Sequence, residues 1–193
     1  MPVPFEYDNA GPQFHQLLRD ARDYADLSTN NQSYTMVQGV LLVFRQRLDI
    51  RGALRFADVL PAVARAVFVT RWDWDAPVLP FVERDKLTLE VQAHRADHNY
   101  APDTCISNVA AALRRNIDTR SLDKCLAGLG TAATNFWTPS DVDAARDHLE
   151  HPFTGHFRST PVGGTAWLRS SACLSEATGC SMFTTPRPAP HGS

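Results

Sequence analysis

From Phe14 to about Trp137 the apolar residues recur at spacings of three and four, the mark of amphipathic helices. The pattern predicts a first helix over about Phe14–Tyr24, with Phe14, Leu17, Leu18 and Ala21 on one face. A second runs over about Tyr34–Leu48 behind Ser33 as N-cap, with Val37, Val40, Leu41, Phe44 and Leu48 inward. A third covers about Gly52–Val69, with Leu54 or Phe56, Val59, Leu60, Val63 and Val67 inward. Pro61 lies inside that stretch and should kink it or split it in two. After a connector from Trp72 to Pro80, further helices are expected over about Val82–His98, Pro102–Ile117 and Arg120–Phe136. Gly128 and Gly130 weaken the last of these. Thr138-Pro139-Ser140-Asp141 reads as a cap and first-turn proline for a seventh helix ending near Glu150.

The pattern also repeats. At an offset of 69 residues, Val40–Asp49 lies over Val109–Asp118, and without a gap Arg51 meets Arg120, Leu60 meets Leu129, Pro61 meets Gly130 and Phe68 meets Trp137. Each copy reads as a helix, a turn beginning with Asp, and a helix broken at Pro or Gly. The expected fold is therefore all-α, a bundle of six to seven helices built from two three-helix pseudo-repeats. One such unit has a marginal core alone, and two face to face bury a shared one. Val40, Phe44, Leu48, Leu60, Val109, Leu113, Ile117 and Leu129 should meet in it. The layout of the chain is then an extended leader over 1–13, a first repeat over 14–75, a second repeat with the terminal helix over 76–150, and a tail over 151–193.

Phe14, Val40–Asp49, the Leu60-Pro61 pair, the aromatic-basic stretch Phe68–Trp72 and the second-half segments Val109–Asp118 and Leu129–Trp137 together resemble a bacterial family, domain of unknown function 2267. The resemblance covers about Phe14–Pro139. Phe68 or Val69 stands where the family carries Tyr, and Leu129-Gly130 where its second Leu-Pro falls. The resemblance implies an all-helical fold and carries no established activity or catalytic residues.

Composition narrows the classes. The chain has 193 residues, 44% hydrophobic and 21% charged, with a formal net charge of −2. That is the balance of a globular domain with no basic excess for nucleic acid. Apolar runs such as Val40–Phe44 and Ala62–Val69 are far below the roughly 20 residues a membrane helix needs. The start, Met1–Asp8, lacks a basic segment, an apolar core and a cleavage site, so a cytoplasmic location with reduced thiols at Cys105, Cys125, Cys173 and Cys180 is expected. The stretch after Pro152 is rich in Gly, Pro, Ser and Thr and should not build a core, so it is expected to be largely disordered.

Three side-chain groups invite a function. His94 and His98 stand four apart on a predicted helix, a spacing that aims two imidazoles to one side and could hold zinc or iron, with His148, Glu150, His151 and His156 as further ligands. Arg95 beside them disfavours a dication. Trp72 and Trp74, alternating with Asp73 and Asp75 in the connector, could be an interaction anchor or a plug between the two halves. Arg45, Arg47, Arg51 and Arg55, with Arg114, Arg115, Arg120 and Lys124 in the second copy, raise the question of DNA, but Asp49, Asp58, Asp118 and Asp123 interleave with them as on a solvated, ion-paired face. No phosphate loop, nucleophile elbow or Walker lysine occurs. The favoured reading is a non-enzymatic module acting on a protein partner or as a homodimer, with no cofactor. A metal-binding protein at His94 and His98, and a DNA-binding regulator, are the alternatives.

Overall fold

A computed structural model describes residues 4–139, and over that span every regular element is a helix. In chain order these are α1 (Phe5–Asp8), α2 (Ala10–Tyr24), α3 (Asn30–Arg45), α4 (Ile50–Val59), α5 (Ala62–Val69), α6 (Arg84–Ala93), a 3-10 turn (Ala96–His98), α7 (Cys105–Asn116), α8 (Thr119–Leu129) and α9 (Thr131–Phe136). The expected helix up to Glu150, His148, Glu150, His151 and His156, and the tail over 151–193 lie outside the described residues.

Local chemistry sets the boundaries, and several differ from the periodicity reading. From Phe5 on the leader is not extended: α1 occupies Phe5–Asp8 and α2 already includes Gly11 and Pro12. Pro12 is tolerated because it sits in the first turn, where its missing N–H has no intrahelical acceptor to lose. α3 starts at Asn30 rather than Tyr34. Thr29 and Gln32 form a reciprocal capping box there, while Ser33 is buried and donates to Leu18 O at 2.7 Å. The third helix does split at Leu60-Pro61. Arg65 of α5 reaches back to the freed carbonyls Ala57 O (2.9 Å) and Leu60 O (3.2 Å). The helix expected to reach Phe136 breaks at Gly130, whose φ of +105° suits glycine. The helix expected from Pro102 begins only at Cys105, after a turn closed by Cys105 N donating to Pro102 O.

One apolar core runs through the helices. α2 packs on α3 and α7, α6 packs on α3, and α4 packs on α8. Phe44 is at its aromatic centre, with ring centroids 4.7 Å from Phe56, 5.0 Å from Phe136 and 5.3 Å from Trp137. Val40, Leu48, Leu60, Val109 and Leu113 are buried in the same cluster, with Ile117 and Leu129 at its edge. Of the two candidates in the third helix, Phe56 points inward and Leu54 outward. Phe81 carries the connector into this cluster, and Leu79 N donates to Gln46 O at 2.8 Å, so the connector is fastened to the end of α3.

Candidate functional site

Between the end of α3 and the connector lies a cleft of about 240 Å³, lined among others by Arg45, Ile50, Arg71, Trp72, Trp74 and Val78. Its shape follows from two local features. Arg71 takes a left-handed backbone (φ 48°), which turns the chain sharply out of α5. Two residues on, Asp73 accepts a hydrogen bond from Asp75 N at 3.1 Å and closes a small side-chain turn. Trp72 faces in, half-buried against the core, and Trp74 faces out, 67% exposed. The alternation of the pair thus turns one Trp toward the core and the other to solvent. Ile50 and Val78, each about half exposed, line the same cleft and add apolar surface beside Trp74.

The floor of the cleft is a buried cation. Arg45 was expected on a solvated face, and instead it is only 7% exposed. Its Nη1 donates to Phe68 O (2.5 Å) and Thr70 O (3.0 Å), the carbonyls that α5 leaves unpaired at its C-terminus. The guanidinium carbon lies 5.5 Å from the Trp72 ring, a cation–π contact. Nε is buried without an acceptor, and Nη2 has none among the described residues. Burial lowers the Arg45 pKa from its ordinary value, since desolvation disfavours the charged form.

Arg47 is also buried rather than solvated, but its environment is different. Its Nη2 meets both carboxylate oxygens of Glu90 at 2.7 and 2.6 Å, and Nη1 donates to Val43 O. Of the first copy's basic residues that raised the question of DNA, Arg51 and Arg55 remain exposed, as do Arg115, Arg120 and Lys124 in the second. The cleft they border, near Asp49 and Gly128, is about 370 Å³.

His94 and His98 do not share a helix. α6 ends at Ala93, His94 has an extended backbone (ψ 112°), and Arg95 is left-handed (φ 56°). The break is held by Asn99, whose amide donates to Val91 O (2.6 Å) and His94 O (2.8 Å) and so satisfies carbonyls the helix would leave open. Nε2 of His94 lies 3.3 Å from Gln38 Oε1, and His98 is exposed on the 3-10 turn. Burial, with Arg95 second, lowers the His94 pKa. Among the described residues no three His, Cys, Asp or Glu side chains converge as a metal site would require.

Cys105 and Cys125 are free thiols. Burial pushes the Cys105 thiol up to about 12, against the lowering effect of nearby N–H groups at the start of α7. Burial raises the Cys125 thiol as well, with Arg55 of α4 lowering it and Asp58 raising it.

The family model described as "Uncharacterized conserved protein (DUF2267)" matches residues 14–136. The chain belongs to this family. The matched span runs from Phe14 of α2 to the end of α9 and contains every residue of the Trp72–Trp74 cleft. A search of curated proteins gives no match. No helix among the described residues is long and apolar enough to cross a membrane.

Proposed function

We propose that this DUF2267 chain is a protein-interaction module that offers the connector cleft to a partner. The observation that carries this reading is Trp74. A large ring two-thirds exposed, held on a hydrogen-bonded turn and flanked by exposed Ile50 and Val78, is a pre-ordered aromatic anchor. Trp72 beneath it is packed and positions the turn, so ordering on binding costs little.

The scaffold behind the cleft is read here as two three-helix pseudo-repeats. Equivalent details 69 positions apart support this. Asp49 caps α4 by accepting from Gly52 N, and Asp118 caps α8 by accepting from Ser121 N. The breaks at Leu60-Pro61 and Leu129-Gly130 coincide. α2 packs on α7 while α6 packs on α3, so the first helix of each unit leans on the other unit. The cleft lies where the connector leaves the first unit.

Photo-crosslinking from position 74 tests the interaction reading. A benzophenone side chain at Trp74 should give one discrete adduct in cells, and the same group at Tyr100, which is exposed and outside the cleft lining, should not. An adduct of twice the chain mass would identify the partner as a second copy. Equal, diffuse labelling from both positions would overturn the reading.

A further inference from the structure

The cleft also specifies what its partner brings. Within one turn of chain, Arg45 and Arg47 are both buried, yet only Arg47 has a carboxylate, Glu90. No acid among the described residues lies within ion-pair distance of Arg45. A buried cation is normally matched by a counter-charge, and the Trp72 ring and two carbonyls compensate it only in part. The nitrogens that lack acceptors, Nε and Nη2, form the edge of a guanidinium that takes a carboxylate through two parallel hydrogen bonds. Arg45 lines the cleft together with Arg71, a second positive charge, and Asp73, whose single carboxylate leaves the lining net positive.

We propose that the cleft receives an acidic side chain, Glu or Asp, from an extended partner segment, with its carboxylate on the Nε–Nη2 edge of Arg45 and adjacent apolar side chains on Trp74 and Val78. The inference rests on the interaction reading above. A side-chain carboxylate fits better than a chain terminus because Arg45 lies below the rim. A side chain reaches down while its backbone stays along the rim, whereas a terminal carboxylate would have to draw its own main chain into the cleft. Asp73 also lines the cleft but makes no ion pair with Arg45; its carboxylate accepts from Asp75 N on the connector. The cleft bordered by Arg51 and Arg55 has no equivalent, since the buried arginine that lines it, Arg47, is already neutralised.

The test uses the full chain labelled with ¹⁵N and three probes: acetyl-Ala-Leu-Glu-Leu-Ala-amide, its Glu→Gln counterpart, and acetyl-Ala-Leu with a free carboxyl group. The readouts are the Arg45 Nε–H and Trp74 indole N–H resonances. The Glu probe should shift both saturably, and the Gln probe should bind at least ~10-fold more weakly, the effect of losing a bidentate charge-assisted pair. Arg45→Lys keeps the charge but not the fork and should abolish the Glu preference. If that variant does not fold, the Glu and Gln probes on the natural chain decide alone. Equal binding of Glu and Gln probes, with Trp74 shifted by both, would overturn the acidic partner and leave the interaction surface standing. Tighter binding of the free-carboxyl probe would overturn the side-chain source. No shift at Trp74 with any probe would sink the acidic partner and count against the cleft as the docking surface.

Discussion

Arg45 and Arg114 stand 69 positions apart, and each donates to the main-chain carbonyl of an aromatic residue, Phe68 and Trp137, that are also 69 apart. The distances are 2.5 Å from Arg45 Nη1 and 3.2 Å from Arg114 Nε. In both places a long helix lends a cation to the C-terminal end of a short one, where carbonyls lack partners and the helix dipole is negative. The two sites then diverge. Arg114 pairs with Asp123 at 2.8 Å near the surface, while Arg45 is buried beneath Trp72 with no acid. The divergence falls at the cleft, the surface proposed above to bind a partner.

Arg45→Ala should therefore destabilise the fold by about 2–3 kcal/mol, because it removes two hydrogen bonds from a charged donor and leaves Phe68 O and Thr70 O unpaired. Arg114→Ala should cost about 1 kcal/mol, since its pair with Asp123 is solvent-screened and water can replace the donor. Urea unfolding of the two variants checks the order. If Arg114→Ala were the more damaging, the assignment of Arg45 as a buried strut would fall.

Phe44→Ala should cost roughly 3–5 kcal/mol, by opening a cavity where four other rings converge. Phe44→Leu introduces the residue found 69 positions on, Leu113, and should cost under about 1.5 kcal/mol, because most of the volume is kept. Denaturant midpoints, with near-ultraviolet circular dichroism to follow the Phe and Trp packing, measure both. Equal losses would show that ring stacking, not volume, sets the stability here.

The helices and the core were legible because a period of three to four residues with apolar Val40, Phe44, Leu48 and Leu113 encodes a buried stripe directly. Breaks at Pro61 and Gly130 were legible for the same reason, as each residue has a backbone rule attached. Arg45 was not. A charged residue reads as solvated, and the acceptors that bury it, Phe68 O and Thr70 O, are main-chain atoms with no sequence signature. The same holds for His94 and His98. Periodicity carried the helix through both, but Asn99 ends it from the far side with a side-chain cap to Val91 and His94. At the candidate site, the Trp-Asp-Trp-Asp run marked Trp72 and Trp74. Ile50 and Arg45 join them only through tertiary placement.

Gly39→Ala tests how tightly α3 and α6 meet. Added to α3, a Cβ at position 39 would lie 3.2 Å from both Cγ1 and O of Val91. The backbone oxygen is held by Asn99 at 2.6 Å, and the neighbouring Glu90 is tied to Arg47, so α6 cannot retreat freely. The usual gain of about 1 kcal/mol for Gly→Ala inside a helix should turn into a net loss of about 1–2 kcal/mol. Gly128→Ala, with open space around its Cβ, should instead stabilise by about 0.5–1 kcal/mol. Thermal melts of the pair, taken side by side, would refute the close approach if both variants were stabilised.

Cys105 gives a prediction about alkaline pH. Its thiol is held near 12 in the folded protein by burial, against an ordinary value of 9.0 in the open chain. A raised pKa means that the folded state keeps its proton when the unfolded state has lost it. Below about pH 9 both states are protonated and the thiol contributes no pH dependence. Between about 9 and 12 only the unfolded state ionises, so stability should fall by about 1.4 kcal/mol per pH unit from this group alone. Cys105→Ala removes that slope and leaves other groups untouched, so the difference between the two proteins isolates it. The same protonation predicts that iodoacetamide at pH 8 leaves Cys105 unmodified in the folded chain and alkylates it readily in urea. Mass spectrometry of the Cys105 peptide reads this directly. Fast labelling of the native protein at pH 8, or parallel stability curves for the two proteins from pH 9 to 11, would show that the thiol is not sealed in the core at the start of α7.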